Sequence, residues 1–551
     1  MGVNCRRARL RAESGMALLG AVILIVVFGL LAIVVVSLVS TDSDISLGAV
    51  RSAQALYLAN AGLERAQLQF KTGTACSALT YANTVGSGSF TTSGTLYRPV
   101  PTVLPAGITN AVSTIPVGST AGFAPHGRIR IDSELIDYTG TTAASFTGAR
   151  RGAGGTTAAA HGAGAVVAQS LCLIRSIGAI AGPLTNAQRV VEAAVPNTPF
   201  VQTGTATNAI NGTVTVALPA AVDPARTFLI FNTRQNSNRP VGSELRGRIA
   251  SATTLEFARV TDEATPVAIN IRWYVVEYLS GVNVQRGQVG QTGTSTNVVL
   301  PTAVAALNQA FVTWSKTPTN TDVNWDDNDP ILGELTTTTN LQFRATAAAA
   351  THTIWWQVIE FANPADINVQ RGAIAMGAAA SVTAALGTPV NVNKTFVLVG
   401  YRTTGAGADV GARMLRAQLT NSTTVTIDRN LTTSTVNELV WQVVELRDSS
   451  TVQRGSEPFA AASAQRVVAL GSSVDTGRAA AFASVQPAAG QSMGRSPYNG
   501  DDVPGVGSVT LALAPNQVTL DRNNTAAAAD IGWFVVEFGR GPRIDWRELF
   551  P

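Results

Sequence analysis

Two hydrophobic patterns divide the chain into a helical beginning and a β-rich remainder. Met16 to Val39 is a run of 24 residues without a charge, which is long enough to cross a bilayer as one helix. The stretch from Asp44 to Phe70 contains no proline, and its apolar residues recur at intervals near one helical turn. Those residues are Ala49, Ala53, Leu56, Leu63 and Phe70. We therefore predict one helix over 16–70, apolar first and amphipathic later.

A sequence repeat occupies the carboxy-terminal two-thirds of the chain. The pattern Val-Gln-x-Gly begins at Val201, Val284, Val369 and Val452, in steps of 83, 85 and 83 residues. The pattern Trp-x-Val-[Val/Ile]-Glu begins at Trp273, Trp356, Trp441 and Trp533. Two motifs that keep one register four times indicate an internal repeat. Each unit has about six short alternating segments, which favours a small antiparallel β-sandwich over a solenoid coil or a propeller blade.

The predicted fold is therefore mainly β with one long N-terminal helix, a head, and four tandem β-sandwich repeats. We place the repeats at 190–282, 283–367, 368–450 and 451–539, with a tail at 540–551. The tryptophan strand is apolar on both faces, which predicts a central strand or one covered by a neighbouring unit. The pattern leaves open whether the units form a string or a closed cluster.

Each repeat also carries a glutamate at the end of the tryptophan strand and an arginine at the end of an earlier strand. The glutamates are Glu277, Glu360, Glu445 and Glu537, and the arginines are Arg259, Arg344, Arg429 and Arg522. Because the same residues recur in every unit, we interpret them as structural ion pairs. Catalytic carboxylates would need unequal environments, and this pattern does not provide them.

Composition argues against several classes of function. Charged residues make up 13% of the 551 residues, and the net charge is +4. The four arginines and one glutamate of Met1–Gly15 account for +3 of that charge, so the remaining chain is nearly neutral and nucleic acid is not an expected partner. The three histidines, His126, His161 and His352, are isolated in sequence. We therefore predict no enzyme and no cofactor.

The leader gives the most specific sequence signal. Arg6 to Arg11 is basic, and Glu13-Ser14-Gly15 directly precedes the apolar run at Met16. This resembles a type IV prepilin leader of class III, and the stretch AQALYLANAGLERA resembles the helix of PilX-like minor pilins. The resemblance implies that 1–15 is removed by a prepilin peptidase between Gly15 and Met16. Major pilins carry glutamate at the fifth mature residue, where this chain has Gly20, and this departure indicates a minor subunit.

The head is predicted at 71–189, with an inserted β-module at 115–167. Cys5 would leave with the leader, so Cys76 and Cys172 form an even pair outside the cell, which predicts one disulfide. Two free thiols are the alternative. We interpret His161, which has no second histidine or cysteine nearby, as part of a structural turn.

The repeats resemble H-type lectin domains in strand order, length and the two motifs. That resemblance implies sugar binding, with N-acetylgalactosamine as an example, but no sugar-contacting residue can be carried over to this chain. A variable loop holds Trp325, Asp326, Asp327 and Asp329, whose ring and oxygen atoms suit a sugar or a calcium ion. A solvated turn is the alternative, and whether a metal binds stays open.

Together these features predict a minor, tip-located pilin-like subunit that displays lectin-like repeats for adhesion. It would span the inner membrane once before assembly and then lie in an extracellular filament or on the cell surface. The implied partners are other pilin subunits, the pilus assembly machinery, the inner membrane and glycans. The alternative is a signal-anchored surface protein outside any pilus, whose repeats bind carbohydrate or act only as spacers.

Overall fold

A computed structural model gives the structure of the chain and confirms the predicted fold class. It describes residues 7–71, 74, 76–132, 134–153, 156–181, 186–196, 200–237, 240–261, 266–278, 281–291, 293–319, 327–347, 352–404, 410–432, 435–448, 450–487, 504–539 and 545–549. One long helix starts at Arg7, and small antiparallel sheets, joined by loops and short helices, make up most of the other described residues.

Helix α1 spans Arg7–Lys71, so it also includes most of the predicted leader. Its apolar first half is exposed along its length, and Ile25, for example, is 71% exposed. The buried face of its last turns consists of Ala55, Ala59, Leu63, Ala66 and Phe70. These spacings of three and four residues form one stripe. The predicted stripe was partly wrong, because Ala49 and Ala53 are exposed and the helix meets the head only further along.

The head begins with two strands, continues through an insert of eight short strands, and resumes with two long strands. The first pair is β1 (Tyr81–Val85) and β2 (Gly88–Tyr97). The insert contains β3 (Thr102–Val103), β4 (Ile115–Pro116), β5 (Gly127–Ile131), β6 (Glu134–Tyr138), β7 (Gly140–Thr142), β8 (Ser145–Thr147), β9 (Arg150–Ala153) and β10 (Val166–Ala168). The second pair is β11 (Leu171–Ile180) and β12 (Ala187–Pro196).

Four units of six strands follow the head. Unit 1 has β13 (Phe200–Asn208), β14 (Gly212–Ala217), β15 (Thr227–Arg234), helix α2 (Pro240–Ser243), β16 (Arg246–Ser251), β17 (Thr254–Arg259) and β18 (Ile269–Glu277). Unit 2 has β19 (Val282–Gln291), β20 (Ser295–Val299), β21 (Ala310–Thr317), β22 (Leu332–Thr337), β23 (Asn340–Arg344) and β24 (His352–Phe361).

Units 3 and 4 repeat this order. Unit 3 has β25 (Ile367–Ile374), β26 (Ser381–Ala385), β27 (Thr395–Thr404), helix α3 (Val410–Arg413), β28 (Arg416–Asn421), β29 (Thr424–Asp428) and β30 (Thr435–Leu446). Unit 4 has β31 (Thr451–Phe459), β32 (Gln465–Ala469), β33 (Ala479–Pro487), β34 (Thr510–Ala514), β35 (Gln517–Asp521) and β36 (Ala529–Glu537). The last strand is β37 (Asp545–Leu549).

The head is built on an antiparallel sheet of order β1-β2-β11-β12-β37, against which the end of α1 packs. Cys76 and Cys172 form a disulfide in the core between helix and sheet, which confirms that prediction. One predicted boundary was wrong, because strand β12 belongs to the head sheet and unit 1 begins at Phe200 rather than at 190. The predicted tail contains β37, which pairs with β12.

Each unit is a sandwich of two three-stranded sheets, in which the tryptophan strand lies centrally in the first sheet, as in β13-β18-β15. The repeated glycine lies directly opposite the repeated tryptophan, as Gly204 opposes Trp273. A Cβ at Gly204 would lie 2.4 Å from the indole of Trp273. The glutamine of the Val-Gln-x-Gly motif holds a loop, because the Gln202 side-chain amide donates to the Ala220 carbonyl and accepts from the Ala220 N–H, both at 2.8 Å. Both motifs therefore have structural roles.

Glutamine side chains join the first three units. The Gln357 amide of unit 2 bonds the backbone N–H and carbonyl of Leu229 in unit 1, both at 2.9 Å. The Gln442 amide of unit 3 bonds Val312 of unit 2 in the same way, at 2.9 and 3.1 Å. Both glutamines directly follow the motif tryptophan, so the outer face of that strand is covered by the neighbouring unit.

The remaining two junctions close the four units into a ring. Ser484 of unit 4 accepts a hydrogen bond from the Ala417 N–H of unit 3 at 2.9 Å. Tyr274 of unit 1 donates to the Leu511 carbonyl of unit 4 at 2.6 Å. Each unit therefore contacts two neighbours, and the arrangement that the sequence left open is a closed cluster.

The predicted pairing of the repeated glutamates and arginines was wrong. Glu277 accepts the Asp223 backbone N–H at 2.7 Å, and the other three glutamates accept the equivalent amide of their own unit. Arg259 instead donates to backbone carbonyls, including Val267 at 2.7 Å, and Arg429 and Arg522 do the same. The glutamate holds the turn before the third strand, whereas the buried arginine holds loops at the other end.

The head is docked on the ring through a buried ion pair. Arg130 of β5 lies 2.7 Å from Glu277 of unit 1, and the side chains are 6% and 1% exposed. Asp223 lies 3.6 Å from the same guanidinium. Because isolated charges at this depth are strongly destabilising, the pair ties the insert firmly to unit 1.

Candidate functional site

The centre of the ring contains a cavity lined by residues of all four units. Its volume is about 390 Å³, within the range of small-molecule sites. Aromatic rings line it, and their contacts pass from unit to unit. Phe228 lies 6.1 Å from Phe311, Phe311 lies 5.8 Å from Phe396, and Phe396 lies 5.3 Å from Phe482. Phe538, also in unit 4, lies 5.9 Å from Phe228 of unit 1.

The strands explain how these rings reach the centre. Phe228, Phe311 and Phe396 are each the second residue of the third strand of their unit. In unit 4 the same position is Ala480, and Phe482 lies two residues further along the same face. The ring is therefore not fourfold symmetric at its centre.

A second cavity of about 370 Å³ adjoins the first and shares Thr313, Trp314, Leu398, Phe482 and Ala483 as lining residues. Unlike the first, it is lined by ionisable side chains. These are Glu244, Lys316, Asp329 and Tyr401.

Glu244 of unit 1 and Lys316 of unit 2 form a bidentate ion pair at this cavity. Their side chains are 14% and 12% exposed. Burial raises the pKa of Glu244, and the charge of Lys316 opposes that shift. At the other three junctions, the positions that correspond to Glu244 and Lys316 hold Pro330 and Tyr401, Met414 and Val485, and Ser508 and Thr233, respectively. This ion pair therefore marks a single junction.

The predicted ligand loop lies partly in the described region. Trp325 and Asp326 are outside the described residues. Asp327 lies 3.2 Å from the Arg413 guanidinium of unit 3, and Asp329 is 1% exposed and lines the second cavity. Within the described ranges, no group of three or more His, Cys, Asp or Glu side chains could hold a metal ion. The loop as a sugar or calcium site stays a prediction.

The predicted processing residues Gly15 and Met16 both lie within α1. The helix that contains them is long and apolar enough to cross a membrane. The other predicted pair, Cys76 and Cys172, lies in the head core and has no free thiol.

The head insert holds a buried charged network around Glu134. Arg151 binds this carboxylate at 2.9 and 2.7 Å, and His161 lies 2.8 Å from it and 2.7 Å from Asp132. Burial opposes ionisation, but hydrogen bonds from Arg151, Ala159, His161 and Gly152 together lower the pKa of Glu134 to about 2. The network ties β6 to β9 and to the following loop, so these contacts are structural.

Sequence reasoning missed the central cavities, because their lining residues come from the third strands of four separate units. A usable signal was present, since Phe228, Phe311 and Phe396 follow one another at near-constant spacing. The ion pair had no such signal, because Glu244 and Lys316 do not recur in the other units.

Comparisons with known proteins identify no family. No protein-family model matches the chain, and no curated protein matches it. Among solved structures, a mutant of the ferric enterobactin receptor PfeA from Pseudomonas aeruginosa, in complex with enterobactin, aligns over 82% of this chain and 80% of its own. The identity is 8% and the TM-score is 0.09.

Proposed function

We propose that the protein is a membrane-anchored surface subunit of the minor pilin type, which presents the ring of four sandwiches for adhesion. This proposal rests on the difference in exposure between the first half of α1 and its end. Its first half exposes apolar side chains such as Ile25, whereas Phe70 at its end is 0% exposed and packs in the head. Apolar surface of this extent is unfavourable in water, so it calls for a lipid or protein environment.

The resemblance of the leader to prepilins supports the pilin type of anchor. A prepilin peptidase would cut between Gly15 and Met16 and leave the apolar half of α1 as the amino terminus of the mature chain. That half would pass from the inner membrane into a filament core beside other pilin subunits. The bulk of the ring argues for few copies in a thin filament and for a place at its tip.

Mass spectrometry of the amino-terminal peptide from the native host tests the proposed processing. We expect a peptide that starts at Met16. Gly15→Val should leave the leader attached, whereas the matched variant Gly20→Val should still be processed, since a Cβ at Gly20 meets no atom within 4 Å. A wild-type chain that still carries Met1 to Gly15 would exclude the pilin proposal and leave the signal-anchored protein.

Adhesion through glycans rests on the lectin-like repeats, but the motif residues themselves do not favour it. Gln202 and Gly204 serve the packing of unit 1, so a purely structural spacer remains the alternative. A glycan array separates the two, because a spacer should bind no sugar. The full chain is the correct reagent, because a cut at 190 would divide β12 and remove the partner of β37.

A further inference from the structure

Side-chain amides bond one repeated backbone position at three of the four junctions of the ring. This position is the third residue of the third strand of each unit. The pairs are Gln357 with Leu229, Gln442 with Val312, and Asn232 with Ala481. The two glutamines bond both the N–H and the carbonyl of their partner, whereas Asn232 donates to the Ala481 carbonyl at 2.9 Å. Each of these backbone positions therefore takes its polar partner from a different unit.

The junction between units 3 and 4 departs from this pattern. Val397 holds the repeated position there, and it pairs with the second residue after the motif tryptophan, as Leu229 does. Because the register is the same, the N–H and the carbonyl of Val397 also point away from their own sheet. Unit 4 has Phe534 where units 2 and 3 have their glutamines, and a phenyl ring has no amide to offer. Within the described ranges, no side chain is hydrogen-bonded to Val397.

The second cavity lies at this junction. Val397 and Phe534 both line it, together with Leu398, Phe482 and Ala483, which are only half-buried. Val397 itself is 4% exposed, and nearly all buried backbone groups in proteins are hydrogen-bonded. A cavity that combines such a donor and acceptor with apolar walls therefore suits a ligand that has a polar group of the same kind as glutamine and an apolar body.

We propose that the second cavity binds a small organic carboxamide, whose amide bonds the N–H and the carbonyl of Val397 and whose apolar body lies against Phe482 and Ala483. The amide of the ligand takes the role that a glutamine side chain has at two other junctions. The volume of about 370 Å³ is within the range of small-molecule sites. Glu244 and Lys316 bond each other at this cavity and have no role in this recognition. The site does not depend on the proposed anchoring or on glycan adhesion.

Calorimetric titration of the full chain in amphipol, at pH 7, tests the proposal with two probes of nearly the same shape. The amide 3-phenylpropanamide carries a donor and an acceptor, whereas its methyl ketone analogue, 4-phenylbutan-2-one, carries only the acceptor. We expect the amide to bind about tenfold more tightly than the ketone, since the ketone leaves the Val397 carbonyl without a donor. Equal affinity for the two probes, tighter binding of the ketone, or no binding of either would overturn the proposal.

Two substitutions of Phe534 locate the site. Phe534→Gln introduces the side chain that units 2 and 3 have at this position, so its own amide should bond Val397 and binding of 3-phenylpropanamide should be lost. Phe534→Leu is the matched variant, because it removes the same ring but adds no amide, and the preference for the amide over the ketone should remain. Thermal unfolding checks that both variants fold. Amide binding that persists in a folded Phe534→Gln, or equal affinity for the two probes in Phe534→Leu, would refute the location at Val397.

Discussion

Replacing Gly287 with alanine would place a methyl group where the indole of Trp356 already lies. The added Cβ would be 2.5 Å from Cζ2, 2.8 Å from Cε2 and 3.1 Å from Nε1 of that ring. Carbon atoms pack best at about 3.5–4.0 Å, so the ring or the strand must move by about 1 Å. Trp356 is 4% exposed and belongs to the core of unit 2, which leaves it little space.

Two effects of opposite sign compete in Gly287→Ala. Alanine in a strand is favoured over glycine by about 0.5–1 kcal/mol through backbone entropy. Overpacking a filled core costs about 1–3 kcal/mol. The overlap with an indole held between two sheets places this site in the overpacked class, so we expect a net loss of stability. Because the other units pair Gly204, Gly372 and Gly455 with their tryptophans in the same way, the same sign should hold for all four.

The assay is thermal unfolding of the full chain in amphipol, followed by circular dichroism at one fixed scan rate. Gly162→Ala is the matched control, since a Cβ at Gly162 meets no atom within 4 Å. We expect a lower apparent Tm for Gly287→Ala and an unchanged or slightly higher one for Gly162→Ala. Equal or increased stability of Gly287→Ala would refute the packing argument and leave the motif glycine unexplained.

Three further predictions concern the head and the junctions. Replacing Cys76 and Cys172 together by serine should destabilise the head by about 4 kcal/mol, since the bridge closes a loop of about a hundred residues; unfolding with and without a reductant measures this, and only the wild type should respond to the reductant. Arg371 of unit 3 donates to the Leu307 and Ala310 carbonyls of unit 2 at 2.5 and 2.6 Å. Arg371→Lys should therefore lower the free energy of unfolding by about 1.5–3 kcal/mol for each charged hydrogen bond that lysine cannot keep. An unchanged midpoint of urea unfolding would contradict this role of Arg371 in joining the two units. The pKa of Glu134 is lowered from 4.5 to about 2, so its ionised form stabilises the folded state fully above pH 4.5, and this stabilisation is lost as the pH falls from 4.5 towards 2. Across this window the melting temperature should therefore fall less steeply with decreasing pH for Glu134→Gln than for the wild type.

The repeat and its tryptophan strand could be predicted because they depend on local spacing. Val-Gln-x-Gly and the tryptophan motif face each other across two strands, so both must recur whenever the unit recurs. Arg344 was wrongly taken as the arginine of unit 2 that is equivalent to Arg259, because the local spacing in unit 2 differs by one residue. The buried arginines lie four residues after Leu255, Val425 and Val518, whereas four residues after Leu341 the chain has Ala345. Arg344 therefore points to the opposite face of its strand.

Ring closure and the cavities could not be predicted, because they depend on contacts between distant units. The bond between Tyr274 and Leu511 crosses 237 residues, and nothing in the local pattern of either residue indicates it. Strand β37 is a similar case. Its five residues carry no distinctive alternation, and they form a strand because β12 offers an unpaired edge.

The head contacts both units at the junction where the ring closes. In units 2 to 4 the third residue of the Val-Gln-x-Gly motif is an arginine that donates to backbone carbonyls of the preceding unit, namely Arg286, Arg371 and Arg454. Unit 1 has Thr203 at that position. The head supplies arginines near the same junction: Arg130 binds Glu277 of unit 1, and Arg98 lies 3.4 Å from where a Cβ on Gly477 of unit 4 would be. The head therefore contacts both units that meet where the ring closes. Because the end of α1 packs in the core of that head, buried contacts connect the ring to the apolar helix, and the proposed role as a surface adhesin would require such a connection.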